Sequence, residues 1–270
     1  MSLVGKYALT LVLALFFAAP FLWMISLSLK GLGEFYVYPP KLLPAVPQWS
    51  NFVDVFKQLS LLRYLGNSLF VSTTTTVLQL VLASSAAFAF AVLSFRGKAF
   101  LFALFISSMM VPGAVVLIPL FIITQKLGMI DSYLGLILPM LFSGYGIFMI
   151  RQFFLGLPRD FYEAARLDGC SNLGVFARIY LPLSVPALAT LGTLAFISFY
   201  NSLLWPLIVI NREELKTIPI GIAGLVGQYG FITPHLVMAG AAVMVVPALL
   251  VFLFFQRYLI NGFVMSGIKG

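Results

Sequence analysis

An all-α integral membrane protein is the fold class this sequence predicts, and three observations predict it. The chain of 270 residues is 61% hydrophobic and only 9% charged, with a mean hydropathy of +1.07. A soluble domain carries roughly 25% charged and 45–50% apolar residues, and one or two soluble domains of this length could not hide so much apolar surface. Second, apolar stretches of about 20 residues or more, the length that crosses hydrocarbon, recur along the chain. Third, the 16 Lys and Arg are scattered at the ends of those stretches. That scatter suits topology determinants rather than a polyanion-binding face, so nucleic acid is not expected as a partner.

The apolar stretches fall at roughly 8–29, 67–94, 99–124, 133–155, 184–210 and 236–260, which predicts six spans in a single transmembrane domain over 1–270. The first is longer than the roughly 7–15-residue apolar core of a secretory signal, so it reads as an uncleaved helix. Residues 30–66 carry Pro39, Pro40, Pro44 and Pro47 and then a mixed stretch, Trp49 to Leu65. This suits an extended connector followed by a surface or interfacial helix. Arg96-Gly97-Lys98 reads as a basic turn and Lys126 to Ser132 as a polar one. Residues 211–235 hold a charged run and then Gly221, Gly224, Gly227 and Gly230. Pro20, Pro112, Pro119, Pro139, Pro206 and Pro247 interrupt the spans, each removing a helix donor and favouring a kink. Ala83, Ala87 and Ala91 form a small-residue stripe that permits close helix approach.

Orientation follows from the cations near span ends. With the N-terminus inside, nine lie inside (Lys6, Arg96, Lys98, Arg151, Arg159, Arg166, Arg178, Arg257, Lys269) and seven outside. Four of those seven sit in the long 30–66 segment, so both termini are expected on the cytoplasmic side. The one cysteine, Cys170, excludes an internal disulfide framework, and one histidine without a dense carboxylate group argues against a metal centre.

The polar segment 157–182 carries the densest information. Pro158 suits a first helical turn, and Asp160 and Glu163 sit near the positive end of that helix dipole. Gly169 can take the left-handed conformation that ends a helix, and Ser171 or Asn172 can cap the next, which is expected to run until Pro182. Phe161, Ala164, Ala165 and Asp168 fall on one side of the first helix. The alanines offer a low profile and Phe161 an apolar anchor for a groove on another protein. Glu163 and Arg166 are spaced to pair. The same residues would also suit an amphipathic helix lying on the membrane surface.

Glu163-Ala164-Ala165, Gly169, Ile179 and Leu181-Pro182 resemble, at matching spacing, the EAA loop of ABC-importer membrane subunits. Residues 199–210, Met238 to Ala241, and Phe254 to Tyr258 with Gly267 to Gly270 look like the later helices and tail of carbohydrate-uptake permeases. The whole chain therefore resembles the shorter inner-membrane subunit of maltose-type importers. Cys170 departs from the usual alanine. Tyr200-Asn201-Ser202 departs from a usual Trp-Asn-acidic run, which leaves the sugar open.

The resemblance implies a type I ABC importer permease fold of six transmembrane helices with a cytoplasmic coupling helix. It implies as partners a second permease subunit, commonly non-identical, two cytoplasmic ATPase subunits, an extracytoplasmic solute-binding protein, a sugar and the bilayer. The implied ATPase-coupling residues are Phe161, Glu163, Ala164, Ala165, Asp168, Gly169, Ile179, Leu181 and Pro182, with Asp168 expected to make an ion pair to the ATPase. No Gly-x-x-x-x-Gly-Lys-Ser/Thr loop is present, so no cofactor is expected in this chain, and ATP and magnesium would be bound by the partner ATPases. The implied location is a bacterial or archaeal inner membrane.

Other groups keep two readings each. Gln79, Ser107, Ser108, Tyr200 and Asn201 are polar positions in or near spans, either pathway residues or groups bonded to their own helices. Gly221, Gly224, Gly227 and Gly230 mark a mobile outer loop reaching a binding protein, or a half-helix entering the last span. His235 is a proton relay or a surface histidine. The expected activity is import of an oligosaccharide, with glycerol phosphate or a polyol as the alternative cargo. An ion-coupled secondary transporter would need carboxylates or histidines inside its spans, and a membrane enzyme would need a convergent nucleophile or metal cluster. The sequence has neither.

Overall fold

The computed structural model describes residues 3–227 and 233–267, and the regular structure among the described residues is helical throughout. Helix α1 (Leu3–Ser28) is apolar along its length and buries only Ser26 and Ser28 within this chain. The proline-bearing connector then folds back onto its end. Gln48 N–H donates to the Leu29 carbonyl at 2.8 Å, and the Asn51 amide donates to the carbonyls of Ser28 and Lys30 at 2.8 and 2.9 Å. The Lys30 ammonium reaches the Lys41 carbonyl and lies 4.8 Å over the Trp23 ring. Helices α2 (Ser50–Gln58) and α3 (Leu61–Ala91) follow.

The expected spans are less straight than the sequence suggests. The 99–124 stretch is two helices, α4 (Lys98–Ser108) and α5 (Gly113–Lys126), meeting at 101°. Pro112 stands directly before α5, where it offers no N–H and disfavours helix at Val111. Helix α6 (Tyr133–Ile137), prolonged by a tighter turn over Leu138–Met140, meets α7 (Gly144–Leu155) at 47°. Ser143 caps α7 by accepting the Gly146 N–H at 2.9 Å.

Helix α8 (Asp160–Leu167) leads to α9 (Asn172–Val175), a π-turn over Phe176–Tyr180, and α10 (Leu181–Leu183). Helix α11 (Val185–Tyr200) departs at 76° from the 172–183 segment, and the rest of the fifth apolar stretch is a separate α12 (Leu204–Val209). Helices α13 (Ile218–Gly227) and α14 (Pro234–Gly267) complete the described chain. Among the described residues three helices are each long and apolar enough to cross a membrane, and up to six spans result if each bent pair counts as one.

Two compact units divide these helices, residues 1–66 with 217–247 and residues 67–216 with 248–270. In the first, Val55, Leu59, Leu61 and Tyr64 pack with Ile218, Leu225, Leu236 and Ala239. Gly221 sits in this core. Of the two readings kept for the glycines, a mobile loop or a half-helix, the second holds for Gly221, Gly224 and Gly227, which lie within α13; Gly230 lies outside the described residues. The reason is tertiary packing, because a Cβ at Gly221 would stand 2.4 Å from the Tyr64 ring, which is 1% exposed. Replacing a helical glycine by alanine gains roughly 0.5–1 kcal/mol of helix propensity, but overpacking a filled core costs about 1–3 kcal/mol. The clash wins. Gly221→Ala is expected to lower the melting temperature of the detergent-purified protein, and to cost much less in a Tyr64→Leu background.

The second unit is closed at one end by a polar clasp. Asp131, at φ 55°, accepts backbone N–H groups of Arg212 at 2.9 Å and Asn211 at 2.5 Å on one carboxylate oxygen. These donors hold its carboxyl below the usual carboxylate range, and the Arg212 guanidinium returns a bond to the Asp131 carbonyl. Asn67 adds a tie of its own, donating to the carbonyls of Glu214 and Lys216 at 2.9 and 2.8 Å while accepting from the Tyr133 hydroxyl at 2.8 Å.

Candidate functional site

The 157–182 loop forms two helices joined by a tight turn. Phe161 N–H donates to the Pro158 carbonyl, so proline opens the first turn without leaving a donor idle. The end of α8 is a Schellman motif. Gly169 takes φ 81°, its N–H donates to the Arg166 carbonyl at 3.2 Å, and Cys170 N–H reaches back to the Ala165 carbonyl at 2.9 Å. The Arg166 guanidinium donates to the Cys170 carbonyl at 2.7 Å. Ser171 caps α9 by accepting the Gly174 N–H at 3.1 Å. The Tyr162 hydroxyl donates to the Asn172 side chain at 3.0 Å and ties the two helices together. The helical path continues one residue past Pro182, and the π-turn before it is the local widening that accommodates a proline in a helix.

Two expectations for this loop need correction. Glu163 pairs with Arg159 at 3.4 Å rather than with Arg166; both groups are well exposed, so the pair is worth little. The alanines do not share a face. Ala165 is 7% exposed and packs in the main core of its unit, whereas Ala164 is exposed. Neighbouring helical residues point about 100° apart, so one of the pair faces the chain's own core. Phe161 remains outward at 45% exposure, and Glu163, Asp168 and Gly169 are exposed with it. Leu167, 89% exposed, joins that outer face, and no motif in the sequence marks it. Only the burial of its neighbours singles it out. Ile179 is half-buried against the core, Leu181 is half-buried, and Pro182 is exposed.

Beneath α8 lies an aromatic knot. Phe88 of α3 meets Phe154 of α7 edge-on at 6.4 Å, Tyr180 at 5.1 Å and Phe176 at 5.3 Å, and Phe154 meets Tyr180 at 5.3 Å. Ala165 and Cys170 pack against the same cluster.

The candidate pathway residues are not brought together. Gln79 is buried with its amide 3.4 Å from the Met140 carbonyl, and Ser107 and Ser108 bond back to Ala103 and Phe105 of their own helix. Tyr200 is 1% exposed, stacked on Phe196 at 5.6 Å, and its hydroxyl has no hydrogen-bond partner. Asn201 is exposed. Among the described residues no hydrogen bond joins any two of them. A largely apolar cavity of about 430 Å³ runs beside α3 and α11, bordered by Thr76, Gly192 and Phe196. His235 stands in the first turn of α14 with its ring 6.4 Å from Phe35. No metal-holding group of His, Cys, Asp and Glu occurs among the described residues.

Bent helices with a structured helix pair between the fourth and fifth apolar stretches fit the importer-permease architecture that the resemblance implies. Residues 79–264 match the family model for the binding-protein-dependent transport system inner membrane component, and the chain belongs to that family. It is 38% identical to the arabinooligosaccharides transport system permease protein AraQ of Bacillus subtilis over 99% of this chain and 97% of AraQ. It is 34% identical to the trehalose transport system permease protein SugB of Mycobacterium tuberculosis, over 93% of this chain and 92% of SugB. These relatives bear out the resemblance to carbohydrate-uptake permeases. Among solved structures, one chain of a bacterial ABC transporter that imports the acidic polysaccharide alginate superposes with a TM-score of 0.81, at 23% identity, covering 94% of this chain and 95% of its own. The fold is therefore that of the type I importer permeases.

Proposed function

We propose that, within this family, the chain is one of two non-identical permease subunits of an ABC importer whose cargo is a carbohydrate, an oligosaccharide. Two cytoplasmic ATPase subunits bind ATP and magnesium, and one of them grips α8. An extracytoplasmic solute-binding protein delivers the sugar. The chain lies in a bacterial or archaeal cytoplasmic membrane with both termini inside, which puts the 157–182 loop on the ATPase side. Energy enters from the partners, because the sequence holds no phosphate-binding loop.

One observation carries the docking. Helix α8 is anchored by Ala165 and Tyr162 yet turns Phe161, Ala164, Leu167 and Asp168 outward. That face is mostly apolar with Asp168 at its edge, and it is exposed among the described residues, which suits a helix-in-groove contact. The names of AraQ and SugB support the cargo class.

Reconstituted with its ATPase and binding protein, the complex is expected to raise its ATP hydrolysis with oligosaccharides of pentoses or hexoses. A response to glycerol phosphate or polyols alone would reassign the cargo.

A further inference from the structure

The end of α3 is held by two cations, one local and one distant in the chain. A helix leaves its last carbonyls without internal partners, at the negative end of its dipole. Here Arg151 Nε donates to the Phe90 carbonyl at 3.0 Å, and the Lys98 ammonium donates to the carbonyls of Ala91 and Leu93 at 3.3 and 2.7 Å. Lys98 is local, a few residues along the chain. Arg151 is 61 residues away, in α7, and its guanidinium carbon lies 4.0 Å over the Phe102 ring of α4.

One turn further along α7, Phe154 meets Phe88, so α7 grips the last two turns of α3 twice from one face. The two grips differ in kind. The aromatic one is shared with Tyr180 and Phe176 of the loop, so it belongs to the loop as much as to α7. A charge-assisted bond to a single backbone carbonyl fixes the register of one helix on the other. Only residues 156–159 separate α7 from α8.

We propose that Arg151 is a positioning residue that locks α7 to the end of α3, so that displacement of the 157–182 loop moves α3 instead of slipping past it. The assignment rests on α8 being the ATPase-docking helix. It gives Arg151 a part in coupling without contact to ATP, ATPase or sugar.

The test uses the reconstituted complex with Arg151→Met and Arg151→Lys, measuring ATPase capture, ATP hydrolysis and sugar imported per ATP. Arg151→Met is expected to capture the ATPase and hydrolyse ATP at wild-type levels while sugar per ATP falls about tenfold, the factor that loss of one charge-assisted bond amounts to. Arg151→Lys restores part of that ratio, because its ammonium donates to the Phe90 carbonyl but cannot stack on Phe102 as a planar group. An unchanged ratio in Arg151→Met overturns the proposal. So does loss of ATPase capture in step with transport, which would make Arg151 a residue of folding or docking. The docking reading fails by a separate sign, undiminished capture by an Ala164→Trp complex that keeps Arg151.

Discussion

Ala164→Trp is expected to abolish capture of the ATPase by this subunit while leaving its membrane insertion intact. The residue is exposed, and its carbonyl accepts the Asp168 N–H within α8, so a larger side chain there disturbs neither the core nor the helix. What it disturbs is approach. An indole projecting from the middle of the outer face keeps a groove from closing on Phe161 and Leu167, and central interface positions of this kind are worth about 2 kcal/mol or more, roughly thirtyfold in affinity. Ala165→Trp should behave differently. With 7% exposure and contacts to the core around Phe154 and Tyr180, it overpacks the subunit itself, at about 1–3 kcal/mol, and lowers the amount of folded protein in the membrane. A pull-down from co-expressing cells, normalised to the inserted subunit, separates the two. Wild-type capture by Ala164→Trp would mean that the grip lies elsewhere.

That contrast marks how far the sequence reaches. Local rules read the loop well: Pro158 at an opening turn, Gly169 at a left-handed helix end and Ser171 as a cap all depend on residues a few positions apart. They could not divide Ala164 from Ala165, because the division depends on where Phe154 and Tyr180 stand. The 221–227 glycines stayed open between loop and helix for the same reason. Their spacing reads as looseness, whereas Gly221 is small because the Tyr64 ring, far away in the chain, presses against it. The prolines announced that the spans are broken, and Pro112 marks the sharpest bend, but no local rule yields 101°. The ties of Asn67 to Glu214 and Lys216, and of Arg151 to Phe90, join residues with no pattern in common. Long-range side-chain bonds to backbone carbonyls carry no sequence signature, because any residue supplies a carbonyl.

Gly169→Pro should be the most damaging single change in the loop, and the geometry says why. Gly169 stands at φ 81°, while proline is locked near −65°. Its N–H, which donates to the Arg166 carbonyl at 3.2 Å, would be lost. Asp168, at φ −75° and ψ 7°, would be pushed out of its conformation by the following ring. Three incompatibilities at one turn are together worth about 3 kcal/mol or more, roughly a hundredfold in the population of the native turn. Nothing lies within 4 Å of a Cβ at this position, so side-chain volume is not the issue. Gly169→Asn therefore provides the control, since asparagine tolerates the left-handed region at a helix end. In proteoliposomes carrying the full complex, Gly169→Pro is expected to import sugar at background level with the subunit still inserted. Gly169→Asn should keep most of the wild-type rate. Equal import by the two variants would show that the turn need not hold its shape for ATP to drive transport, and the reading of α8 as the coupling helix would fall with it.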